Sequence, residues 1–182
     1  MAGTKVITGK VRFSYVSIFQ KKSFNGEDGK YQITLLIPKS DKKTVSKIKA
    51  AIKAATDEGI ASKWNGKKPG KLWNPLQDGD EDGKAETNPE YEGMYFVCAK
   101  SNSRPGIVDK DLNEILDPDE VYSGAYGRAS ITFYPYNNSS NGIAAALNNV
   151  QKLADGDRLG SARATAEEDF GDDEDFDEEE DF

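Results

Sequence analysis

Two stretches of alternating side chains, separated by a turn-rich segment, constrain this chain of 182 residues more than any other feature. In residues 10–19, Val11, Phe13, Tyr15, Ser17 and Phe19 fall on one side and Lys10, Arg12, Ser14, Val16 and Ile18 on the other. In residues 31–37, Tyr31, Ile33, Leu35 and Ile37 fall together. A period of two is that of a β-strand with unlike faces. The first strand is expected to bend or bulge near Val16. The Gly- and Asn-containing residues 23–30 join the pair as a hairpin.

Beyond Pro38 the period changes. Val45, Ile48, Ile52 and Ala55 recur at helical spacing, Ser40 or Asp41 can cap the first turn, and Gly59 offers a left-handed stop. Lys42, Lys43, Lys47, Lys49 and Lys53 give this amphipathic helix a basic outer side, which an ordinary solvated face explains equally well. Residues 62–90 lack apolar periodicity and read as a long functional loop carrying both tryptophans, Trp64 and Trp73.

Further strands are expected at residues 95–100 and 128–136, with a turn-rich connection over 102–123. In the second of them Ala129, Ile131 and Phe133 face one way and Arg128, Ser130, Thr132, Tyr134 and Tyr136 the other. Residues 143–153 fit helix or strand, and strand is preferred. This pattern predicts a mainly β fold: an OB-fold-type five-stranded antiparallel barrel with an inserted amphipathic helix, long loops and a disordered acidic tail. The barrel is assigned to residues 1–160 and the tail to 161–182.

Charge is distributed unevenly. Residues 167–182 hold twelve acidic and no basic side chains, so the net charge of −8 conceals a body of +4 and a tail of −12. Residues 1–77 alone carry 16 basic against 5 acidic groups. A basic front half with an acidic tail suggests a polyanion binder that carries its own competitor.

Several chemistries are excluded. With no His and a single Cys98, histidine-dependent nucleophiles, His-based zinc sites, thiolate clusters and an internal disulfide are impossible. One cysteine fits a reducing, intracellular compartment. Neither a membrane span nor a signal peptide is expected. No glycine pattern matches a phosphate cradle. The run from Asp78 to Gly83 begins like an EF-hand loop, but its twelfth position is Pro89, and Asp109, Asp111 and Asn113 are followed by Glu114 where glycine is required. Solvated acidic loops explain both, and neither a metal nor another cofactor is expected.

The strongest signal is cations interleaved with aromatics, which single-stranded nucleic acid requires for phosphates and unstacked bases. Arg128, Tyr134 and Tyr136 share one predicted outward face, and Lys10 and Arg12 share another. Lys21, Lys22, Trp64, Lys67, Lys68, Lys71 and Trp73 lie in the adjoining irregular segments. Lys100 and Arg104 complete the candidate DNA-binding set. Phe13, Tyr31, Ile33 and Phe133 are assigned to packing. In the tail, Phe170, Phe176, Asp181 and Phe182 are candidates for binding partner proteins, because a terminal aromatic beside carboxylates suits a basic, partly apolar pocket.

The chain resembles the phage-encoded OB-fold single-stranded DNA-binding proteins of tailed bacteriophages. The resemblance rests on the order of Pro75-Leu76-Gln77-Asp78-Gly79-Asp80, Tyr91-Glu92-Gly93, the segment from Tyr95 to Ser101, Arg104-Pro105-Gly106-Ile107-Val108-Asp109, Tyr122-Ser123-Gly124, and the segment from Gly142 to Gly160. Gly124-Ala125-Tyr126-Gly127-Arg128 departs from it. The resemblance implies a non-enzymatic protein in the cytoplasm of the infected bacterial host. Such a protein coats single-stranded DNA in replication, recombination and repair, forms a homodimer, and recruits phage replication enzymes (polymerase, helicase or primase) through its tail. Two rivals are an acidic DNA mimic and a carboxylate-metal nucleic-acid enzyme with its site at Asp78–Asp82.

Overall fold

The computed structural model describes residues 3–24 and 27–159. Among them lie strands β1 (Lys5–Ile7), β2 (Val11–Phe24), β3 (Glu27–Pro38), β4 (Gln77–Asp78), β5 (Met94–Ser101), β6 (Gly106–Val108), β7 (Tyr126–Asn137) and β8 (Asn141–Ala154). The helices are α1 (Lys42–Ser62) and the single turn α2 (Lys84–Thr87). Residues 143–153 lie within strand β8, and β1 and β6 are short additions at the sheet margins.

Five of the strands close into a ring in the order β2-β3-β5-β8-β7 and back to β2. Four seams are antiparallel and one, β5–β8, is parallel, with Ala99 opposite Ala145 and Lys100 opposite Ala146. Strand directions cannot alternate around a ring with an odd number of members. The expected five-stranded barrel is therefore present, and its geometry demands the one parallel seam. Phe13, Ile33, Leu35, Val97, Ile131, Phe133 and Ile143 fill its interior.

Alternation in β2 holds only up to the bulge. Ser14 pairs with Thr34 and Ser17 with Gln32, so one extra residue is accommodated around Tyr15, whose φ of 47° is left-handed. An inserted residue inverts the sidedness of everything beyond it. Ile18, expected outside, is fully buried, while Tyr15, expected with Phe13, is exposed. Tyr31 is only half-buried, opposite the last residue of β5, Ser101.

Helix α1 is capped by Asp41, whose carboxylate accepts from Thr44 N at 3.2 Å. Val45, Ile48 and Ala55 join the barrel core, and the lysine side is exposed as expected. Gly59 does not stop the helix. It is the point at which Trp64 and Pro135 press against the backbone, and a Cβ there would overlap the indole ring. The left-handed turn comes later, at Asn65 and Gly66.

A second, smaller apolar layer covers the outside of β3 and β5. Leu36 and Tyr91 are buried there, and Tyr91 meets Phe96 edge-on at 5.1 Å. Burial pushes the Tyr91 hydroxyl up to about 12.

Candidate nucleic-acid interface

Register determines what the barrel shows to solvent. Because Ile33, Leu35, Val97 and Ala99 point inward, the alternate residues Gln32 and Thr34 of β3 and Phe96, Cys98 and Lys100 of β5 line the outside, paired as Gln32 with Lys100 and Thr34 with Cys98. The parallel seam continues this surface onto β8, where Ala146 stands opposite both Lys100 and Thr132, and Ala144 opposite Tyr134. Ala144 and Ala145, small residues between taller neighbours, line a trough of about 440 Å³. Phe96, Cys98 and Lys100 form one bank, Tyr134 and Tyr136 the other, and Lys30, Gln77 and Asn138 extend the rim.

Trp73 caps this trough. Its backbone is bridged to β8, with Trp73 N donating to Asn141 O at 3.0 Å and Ile143 N donating to Trp73 O at 3.1 Å. The indole is 54 % exposed and Tyr134 41 %. Trp73 and Tyr136 also line a second hollow of about 710 Å³, with Lys71 on its edge and the β7–β8 turn residues Ser139 and Ser140 opposite. Exposed aromatics beside lysines, with small residues between them, form a surface that can stack bases and contact phosphates.

Lys71, Trp73, Lys100, Tyr134 and Tyr136 are thus brought together. Trp64 is not among them: it is 8 % exposed within the core, and its buried indole Nε1 has no hydrogen-bond partner. Its place beside lysines in a Gly-rich stretch suggested exposure, but Gly59 makes room for the ring against α1.

Lys10 and Arg12 sit elsewhere, both against Tyr126, at 5.3 and 5.4 Å from its ring centre. Arg12 is tied down, donating from Nε to Gly124 O at 3.2 Å and from a terminal nitrogen to Asp157 O at 2.7 Å. Arg128 is exposed, and its Nε donates to Thr8 O at 3.0 Å. Arg104 lies over Phe19, and Lys21 is exposed near the distal end of β2. Lys22 pairs in register with Lys30. Lys67 is exposed after Trp64, and Lys68 edges a cleft beside α1. Phe170, Phe176, Asp181 and Phe182 lie outside the described residues.

Lys30, Gln77, Phe96 and Cys98 escaped the sequence reading. Alternation in residues 95–100 could have placed Phe96 and Cys98 with Lys100, opposite Val97 and Ala99.

The EF-hand-like segment is engaged otherwise. Lys39 Nζ lies 2.6 Å from Asp78 and 2.7 Å from Asp80, and Asp80 also accepts from Gly93 N at 3.0 Å. These hydrogen bonds, led by that from Lys39, hold both carboxyls below the usual range. Asp109 is likewise lowered, first by the Asn113 backbone amide. Among the described residues no three potential metal-ligating side chains cluster, and no helix is long and apolar enough to cross a membrane.

A five-stranded ring with one parallel seam, here carrying an aromatic, cationic trough across β5, β8 and β7, is an OB-fold barrel. The family model described as "Enterobacter phage Enc34, ssDNA-binding protein" matches residues 4–182, and the chain belongs to that family of phage single-stranded DNA-binding proteins, which are binders rather than enzymes. A protein of Acyrthosiphon pisum secondary endosymbiont phage 1, called putative protein p50, is 31 % identical over 175 residues, covering 92 % of this chain and 93 % of that one. The single-stranded DNA-binding protein of bacteriophage Enc34, solved in complex with ssDNA, superposes with a TM-score of 0.75 at 27 % identity, over 86 % of this chain and 90 % of that chain. A single-stranded DNA-binding protein encoded by bacteriophage T7 shares the fold, with a TM-score of 0.61 at 14 % identity over 90 % and 91 % of the two chains.

Proposed function

We propose that this protein coats single-stranded DNA exposed during phage replication, recombination and repair, holding it in the trough capped by Trp73. The observation that carries this is the convergence of Trp73, Tyr134 and Tyr136 with Lys30, Lys71 and Lys100 around a floor of alanines. Bases stack on the aromatics at about 1–3 kcal/mol each, and the lysines meet phosphates. Sequence preference is weak, since every base has a face to stack on. Lys10, Arg12, Tyr126 and Arg128 form a separate basic surface that widens the electrostatic footprint. An acidic mimic of DNA has no use for such a trough.

The remaining roles follow from the resemblance and the charge pattern. Residues 1–160 form the DNA-binding domain, and residues 161–182 form an acidic tail that recruits phage polymerase, helicase or primase through Phe182 and competes with DNA for the body. The protein works as a homodimer in the cytoplasm of the infected host. Titration with oligo-dT across a salt series tests the central claim: saturable binding that weakens steeply with salt supports it. Failure of the body lacking residues 167–182 to bind at low salt would overturn it.

A further inference from the structure

We propose that the loop following β6 in one copy docks into the cleft beside α1 of another, a head-to-tail contact that links neighbouring copies. Leu112 has a φ of 68° and is 72 % exposed. A leucine in the left-handed region is strained, and this one is fixed from both sides. The Asp109 carboxylate accepts from Asp111 N at 2.8 Å and Asn113 N at 3.0 Å, and Leu112 N donates to Asp109 O at 3.1 Å. Leu116, 70 % exposed, follows Ile115, which is buried and bonded through its N to Ile107 O at 2.9 Å. Two leucines are thereby held outward among the exposed carboxylates of Asp111, Glu114 and Asp117.

The complementary surface lies on the same chain. Ile52, Ile60 and Leu76 line a cleft of about 410 Å³ whose rim carries three lysines, Lys49, Lys53 and Lys68, against one carboxylate, Asp57, which pairs with Lys53 at 3.3 Å. An apolar floor with a lysine rim matches apolar projections in an acidic setting. Loop and cleft are far apart along β8. Strand β6 pairs with Asn149 to Gln151, whereas the end of α1 packs on Pro135, which stands opposite Ile143. That separation of several strand residues is roughly 25 Å, so each copy offers both halves at once. A contact between unlike halves propagates wherever its rotation does not close a ring, and along a coated strand such propagation produces cooperative binding.

Sedimentation equilibrium of the full chain without DNA tests this independently of the DNA-binding proposal. At low salt the average mass should rise past the dimer with concentration, and salt should suppress the rise. Leu112→Gly with Leu116→Ala, in which glycine suits the φ at 112, should weaken self-association about tenfold or more. Lys49→Glu with Lys53→Glu should do the same. Mixing the two variants, one with an intact cleft and the other with an intact loop, should restore the association that neither shows alone. A wild-type mass that does not rise, variants that associate like wild type, or mixtures that fail to pair would each overturn the proposal. So would loss of association on deleting residues 167–182, which would assign the cleft to the tail.

Discussion

Trp73 and Gly142 pack so closely that a Cβ on Gly142 would sit 2.6 Å from the Trp73 Cβ and 2.6 Å from the Tyr136 hydroxyl. The missing side chain lets a loop residue join β8 and stand as the cap of the trough. Gly142→Ala should therefore push Trp73 and Tyr136 apart and weaken oligo-dT binding by about 1–3 kcal/mol, the worth of one stacked base. Stability should fall by a similar amount through overpacking. Binding isotherms and thermal melts read the two separately, and unchanged affinity in a folded variant would separate the trough from DNA.

Fluorescence distinguishes the two tryptophans. Trp73 is half-exposed at the trough, whereas Trp64 is sealed in the core. Quenching by oligo-dT should survive Trp64→Phe and disappear in Trp73→Phe. Persistent quenching in Trp73→Phe would place the bases elsewhere.

Gly59 tests the packing around Trp64. A methyl group there meets the indole ring and Pro135 inside a helix that contributes Val45, Ile48 and Ala55 to the core. Gly59→Ala gains helix propensity of about 1 kcal/mol, but strain of roughly 1–3 kcal/mol opposes it. A lowered melting temperature is expected, with oligo-dT binding retained by the folded fraction. A raised melting temperature would show that the ring can move aside.

The strands were legible because alternation is a local property, and Val11, Phe13, Ile33, Ile131 and Phe133 all lie inside as their spacing implies. Sidedness beyond Tyr15 was not legible, because a bulge reverses parity without changing composition. The trough was half-legible for a related reason. Tyr134 and Tyr136 follow from one strand's own period, whereas their neighbours across the barrel depend on the register of the parallel seam, which joins residues more than forty positions apart. Trp64 and Trp73 looked alike in sequence, and only the glycines opposite them, Gly59 and Gly142, decide that one is core and the other cap.

Acid should loosen the segment joining β4 to β5. Hydrogen bonds from Lys39, and then from the backbone amides of Asp80 and Gly93, lower the carboxyls of Asp78 and Asp80 respectively. A carboxyl depressed in the folded state stabilises it above the unfolded value, near pH 4, and that contribution is lost as pH falls through the folded value. Lys39 is raised by the same contacts, so its share fails only in strong alkali. The Gly93 amide resonance should therefore titrate with a midpoint below pH 4, and Asp80→Asn should abolish that titration. A midpoint at or above the ordinary carboxylate value would refute the Lys39 clamp.

Salt dependence separates the trough from the tail. Three lysines meeting three phosphates give a slope of log affinity against log salt of about −2, at roughly 0.7 per phosphate on single strands. The tail's −12 faces a body of +4, so deleting residues 167–182 should tighten oligo-dT binding most at low salt, where charges are least screened. Towards 1 M salt the two forms should converge, the Debye length there being about 3 Å. Phe182→Ala leaves the acidic charge in place and should follow the full chain rather than the truncation. If Phe182→Ala tightens DNA binding as much as removing the whole tail, an apolar contact and not charge holds the tail against the body.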